Sequence, residues 1–124
     1  MLGTERAVPV RGVVTDPSND LHVPALCDVE FAAGLRRALL TRSLSIERAG
    51  QAALDYLDLP LSHHGHQALL GRILELHDNF SAYDATYVAL AEALGASLLT
   101  TDGRLANAVS THTAVKTISD VPEV

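Results

Sequence analysis

A single cysteine, Cys27, leaves this 124-residue chain without an internal disulfide. No apolar run approaches the roughly 20 residues needed to cross a bilayer, because charge or glycine interrupts each one. A membrane span is therefore excluded. No charged start followed by an apolar core marks a secretory signal, so the chain is expected in the cytoplasm. Proline and glycine are scarce, at five and eight, while 48% of residues are apolar and 19% charged, which excludes a disordered chain. No internal repeat or low-complexity tract occurs, and no glycine-rich loop opens a helix, which counts against a dinucleotide-binding domain. Residues 1–124 read as one globular domain. Positive charge is also short: the formal net charge is −6, and Lys116 is the only lysine among nine cations. Contact with a polyanion then needs a local basic surface or a bound cation, since the field of the whole protein opposes it.

Several elements can be read from pattern. Glu5 to Thr15 has mixed periodicity and reads as a short first helix ending in the turn-rich "TDPSND". "LHVPAL" (21–26) alternates and reads as a short strand, followed by a helix over "CDVEFAAGLRRALLTRS" (27–43). A further helix opens at Ser45 and is stopped by Pro60. "LPLSHHG" has the look of a short edge strand, and 66–77 repeats a helical pattern. Ser81 opens another helix, Gly95 caps it, "ASLLT" (96–100) is a wholly apolar strand, "GRLANAV" a short helix and "AVKTIS" (114–119) a last strand. Strands alternating with helices and apolar on both faces imply an α/β domain with a mostly parallel sheet.

Three acids stand out, each with two readings. On a helical wheel Glu30 falls in a narrow polar stripe with Gly34, Arg37 and Thr41; it is either a solvated first-turn glutamate or a site residue. Asp84, three residues after Ser81, approximates a capping box. Yet only Asp84 and Glu92 carry charge between Tyr83 and Leu94, so the helix should be buried, and a buried carboxylate is costly unless paired. Asp102 either caps the helix that starts at Gly103 or sits just past a parallel strand, where open α/β sheets place ligands. All three are compatible with one end of a sheet. Converging carboxylates at ~4 Å would repel by roughly 4 kcal/mol per pair at an effective dielectric near 20, so they would require a cation. Oxygen-only donors favour Mg²⁺ or Mn²⁺, which polarise phosphodiesters and activate water.

The combination "AYDATYVALAEALGASLLTTD", with "HVPALCDVEFAAGLRRAL", "LPL" and the closing strand, resembles the PIN domain, in particular the VapC toxins of bacterial toxin–antitoxin pairs, from Leu21 onward. The resemblance implies a three-layer α/β/α fold and a Mg²⁺- or Mn²⁺-dependent endoribonuclease. It places the catalytic, metal-binding acids at Glu30, Asp84 and Asp102, with Thr101 and Arg104 as substrate-binding candidates. It also implies a cognate antitoxin, whose arginine would enter the acidic groove, an RNA substrate and a homodimer. The family's further aspartate comes after a first strand in a pattern like V-D-x-S. Here "MLGTERA" resembles the segment that succeeds the family's first helix, so about 15 to 20 residues are expected to be missing. The competing expectation is thus a catalytically impaired, N-terminally truncated domain that only binds antitoxin or dimerises.

Other features read as structural. "HHGH" (His63, His64, His66) has no Cys or further His at a zinc-site spacing and reads as a polar loop. Cys27 with His22 offers no oriented base. Tyr83 and Tyr87 fit packing better than base stacking. Arg36, Arg37, Arg42 and Arg48 form the one basic cluster, open to a solvated face or to a role near RNA or a partner.

Overall fold

The structure, a computed structural model, describes residues 20–119; the helix expected over 5–15 lies outside them. Strand β1 (Leu21–Pro24) leads through Ala25 into helix α1 (Leu26–Leu40). Arg42, at φ 60, then turns the chain into α2 (Ile46–Asp58), whose first turn is closed by the Arg48 N–H donating to Ser45 Oγ at 3.2 Å. The extended backbone at Leu59, just before Pro60, ends α2. Strand β2 (Leu61–His64) comes next, then a 3-10 turn (Gln67–Leu69) and the short helix α3 (Leu70–Glu75). The helical pattern expected over 66–77 is thus split between two tighter pieces. Helix α4 (Ala82–Leu94), strand β3 (Leu98–Thr100), helix α5 (Gly103–His112) and strand β4 (Thr117–Ser119) complete the order.

The alternation of strand and helix is the expected α/β pattern, and among the described residues the strands form two parallel pairs. β1 pairs with β2, Leu21 opposite Leu61, and β3 with β4, Leu98 opposite Thr117, both parallel. Among the described residues no ladder joins β1 to β3. A cleft of about 270 Å³ separates them, lined by both strands and by Leu90, Ala91 and Leu94 of α4.

Helix α4 holds the two halves together. Ala85, Thr86, Val88, Ala89, Leu90 and Ala91 are all buried, as expected for a helix apolar nearly all round. Its C-terminus is closed by Gly95 in the left-handed region at φ 62, where the Ala96 N–H reaches Ala91 O at 2.9 Å; a side chain at this position would be strained. The larger core cluster gathers Ile73, Leu76, Phe80, Val88, Leu98 and Val109, and the smaller one Val23, Cys27 and Tyr56. Tyr87 packs against both clusters. Among the described residues, no helix is long and apolar enough to cross a membrane.

Candidate functional site

The acids sit where the chain leaves a strand or enters a helix. Glu30 lies in the second turn of α1, just after β1. Asp84 is in the first turn of α4, and Asp102 is two residues past β3. Asp102 caps α5: its Oδ1 accepts the N–H groups of Arg104 at 3.0 Å and Leu105 at 3.2 Å. The capping alternative is therefore realised, and it fixes where this carboxylate points. Its own N–H donates to Thr100 Oγ1 at 3.0 Å, so the hydroxyl that organises this turn belongs to Thr100; Thr101, half-buried, is not the one that makes it.

Asp84 is half-buried, and its N–H donates to Ser81 Oγ at 3.1 Å, the forward half of a capping box. Its carboxylate lines a cleft of about 250 Å³ with Ser81, Arg104 and Leu105. Arg104 is exposed and makes no ion pair among the described residues, so its charge is available to that cleft. Asp84 and Arg104, 20 positions apart in sequence, are thus brought to one place.

Glu30 is not a solvated glutamate. It is half-buried, and the Tyr87 hydroxyl donates to its Oε1 across the gap between α1 and α4. Burial first, and then this bond, push the Tyr87 phenol well above its ordinary range, so it remains a donor. Tyr87 stands one turn after Asp84, so the helix that carries one acid also carries the hydroxyl that holds another. Sequence pattern assigned Tyr87 to packing. The signal pointing further was a tyrosine at i+3 from an acid on a helix due for burial, since a buried phenol needs a partner for its polar tip.

A second polar group forms around the other acid of α1, Asp28. Asp28 Oδ1 accepts from the Tyr56 hydroxyl at 2.7 Å and lies 3.1 Å from His63 Nδ1. Tyr56 stacks on Phe31 with ring centroids 4.3 Å apart, and its phenol too is raised, by burial and then by hydrogen bonding to Cys27 and Asp28. Asp28 and Glu30, two residues apart on one helix and about 200° around it, take different tyrosines, and both phenols also engage Cys27 of the same helix. The other acid of α4, Glu92, is paired with Arg72 of α3 through two bonds of 2.7 and 3.0 Å, which hold its carboxyl below the usual carboxylate range. The cost of placing charge on a buried helix is met there by bidentate pairing. Arg36, Arg37, Arg42 and Arg48 are all exposed, spread over the end of α1, the turn and the start of α2.

Oxygen donors of this kind suit a hard divalent cation chemically. Their spacing does not complete a cage: among the described residues no three of His, Cys, Asp or Glu stand close enough together to hold an ion. The described residues alone thus do not fit a metal site, and no step of a reaction is assigned to an ion.

A family model described as "PIN domain" matches residues 2–109. The chain belongs to the PIN-domain family. Curated relatives place this PIN domain among VapC proteins. Over 87 residues it is 44% identical to "Ribonuclease VapC9" of Mycobacterium tuberculosis, covering 70% of this chain and 68% of that protein. Over 114 residues it is 38% identical to "Ribonuclease VapC1" of the same organism, covering 90% and 84%. "Ribonuclease VapC12", also from that organism, is 35% identical over 86 residues, 69% of this chain and 67% of that protein. The α/β architecture agrees with the family.

Proposed function

We propose that this PIN domain is the toxin of a toxin–antitoxin pair, an endoribonuclease that hydrolyses RNA phosphodiester bonds in the presence of Mg²⁺ or Mn²⁺. One observation carries the reading: a PIN-family match over residues 2–109 together with VapC ribonucleases among the relatives. Glu30, Asp84 and Asp102 are the catalytic and metal-binding candidates within it. Oxygen-only donors at the ends of α/β elements support a hard ion in preference to zinc or copper.

The chain's own residues have definable parts to play. Asp102 is fixed by capping, Glu30 by Tyr87, and Asp84 by the first turn of α4, so each carboxylate is held on a helix or at its cap and not on a free loop. Arg104, facing the cleft beside Asp84, is suited to neutralise a phosphate oxygen of the RNA as charge builds there. Thr101, next to the cap, offers a hydroxyl to the same backbone. With a net charge of −6, RNA engagement rests on such local cations, Arg104 and the Arg36/Arg37/Arg42/Arg48 surface among them.

Two partners belong to the reading: a cognate antitoxin and a second copy of the chain. Large apolar side chains left exposed on α2, Ile46, Leu54 and Leu57 at 68%, 59% and 73%, supply contact area suited to such a partner. The site of action is then cytoplasmic RNA.

A second reading, a non-catalytic module that only binds antitoxin or dimerises, is favoured by the incomplete cage among residues 20–119. Incubating the purified chain with total RNA, with Mg²⁺ or Mn²⁺ and with EDTA, beside Asp84→Asn, separates the two. Cleavage that needs the ion and is lost in Asp84→Asn establishes the nuclease. Equal cleavage by both proteins, or none by either while an antitoxin still binds, removes it.

A further inference from the structure

The sequence motif "HHGH" is not absorbed by the nuclease reading, and the fold treats its members differently. His63 turns towards Asp28, whereas His64, next to it on β2, faces the other way. There it meets His22 of β1, 42 positions away: His22 Nδ1 and His64 Nε2 are 2.8 Å apart, with ring centroids at 5.0 Å.

Two imidazole nitrogens at that distance cannot both present lone pairs to each other. One must carry a hydrogen that the other accepts, so the pair shares a single proton. Any cation able to replace that proton gains two neutral imidazole donors at once. The backbone beneath them is fixed. β1 and β2 are parallel, with His22 opposite Ser62 and Pro24 opposite His64, and the Ala25 N–H donates to His64 O at 2.7 Å. Two zinc–nitrogen bonds of about 2.0–2.1 Å at a tetrahedral angle separate the nitrogens by about 3.4 Å, so the rings need to part by roughly half an ångström. His22 is exposed and has room to do so.

We propose that His22 and His64 form a two-histidine binding site for a borderline divalent cation of the zinc–nickel–copper class. The ion bridges His22 Nδ1 and His64 Nε2. Among the described residues no third His, Cys, Asp or Glu joins them, so its remaining positions are filled by water, and binding is reversible. Imidazole donors discriminate against Mg²⁺, so this site is chemically distinct from the carboxylate site of the proposed nuclease. The proposal does not depend on that reading.

The test is titration of untagged protein with Zn²⁺ or Ni²⁺ by calorimetry, in excess Mg²⁺. The expected result is one ion per chain, with affinity falling at least tenfold in both His22→Gln and His64→Gln and unchanged in His63→Gln and His66→Gln. Proton NMR of the histidine rings in the unmodified protein gives a check that no folding defect can mimic, since all six histidines are described. Two ring signals should shift or broaden with the first equivalent of Zn²⁺, and they should be those missing in His22→Gln and His64→Gln. Absence of binding, retained affinity in His64→Gln, or loss in His63→Gln instead would overturn the assignment.

Discussion

Replacing Tyr87 with phenylalanine removes one oxygen and tests the hydroxyl that joins α4 to α1. The ring stays, and with it the packing against both core clusters; the hydroxyl's donation to Glu30 Oε1 is lost, together with its interaction with Cys27. Hydrogen bonds to charged groups contribute about 1.5–3 kcal/mol, and Glu30 is only half-buried, so a loss of about 1–2 kcal/mol is expected. For a chain this size, with a urea slope of roughly 2 kcal/mol per molar, the unfolding midpoint should fall by about 0.5–1 M. Glu30→Gln and the double variant complete a thermodynamic cycle, and the coupling between the two positions should be about 1 kcal/mol or more. The phenol's folded-state value is raised, so the contribution is fully present below the unfolded value near 10 and declines only as pH rises beyond it. A coupling within about 0.3 kcal/mol of zero would refute the reasoning. The same variants extend to the reaction: if Glu30 belongs to the nuclease site, Tyr87→Phe slows RNA cleavage even at denaturant concentrations where the fold is intact.

Two further perturbations separate structure from chemistry. Asp102→Asn keeps an oxygen to cap α5 and removes the charge, whereas Asp102→Ala removes both; thermal unfolding should show a loss of about 1 kcal/mol for alanine and a few tenths for asparagine. RNA cleavage lost equally in both assigns the carboxylate to the reaction, and cleavage retained by asparagine leaves it as a cap. Glu92→Gln at the Arg72 pair should cost no more than about 1 kcal/mol at pH 7, because both side chains are partly exposed. The folded-state carboxyl is depressed, so its contribution is present above the unfolded value near 4.3 and is lost as pH falls through the lower folded one. Urea midpoints of the two proteins should converge as acid protonates the folded-state carboxyl, and a gap that persists once it is protonated would mean that packing and not charge is responsible.

What could be read in advance was local. The helix from Ser81 to Gly95 was visible because its start and stop are written in adjacent residues: a hydroxyl that caps three positions on, and a glycine able to enter the left-handed region. Asp102 had two readings because a cap and a strand-end ligand use the same residue at the same place, and the structure realises the cap without displacing the other. Glu30 was harder. A polar stripe on a wheel describes one helix, while its environment includes Tyr87, 57 residues later. The pairing of His22 with His64 escaped for the same reason, since zinc spacing rules count along the chain and a parallel strand pair brings distant positions together.

The pairing of the strands bears on how the candidate site is held. With no ladder between β1 and β3 among the described residues, backbone hydrogen bonds do not fix the distance from Glu30, just after β1, to Asp102, just after β3. That distance is set through α4, which packs on both strand pairs and reaches Glu30 by Tyr87 and the α5 cleft by Asp84. Among the described residues, the geometry of the acids therefore depends on side-chain contacts of one buried helix, which yield more readily than a continuous ladder. Substitutions on the buried face of α4 that leave Asp84, Tyr87 and Glu92 in place should then disturb RNA cleavage more than equally destabilising changes in α2, whose Leu54 and Leu57 face outward.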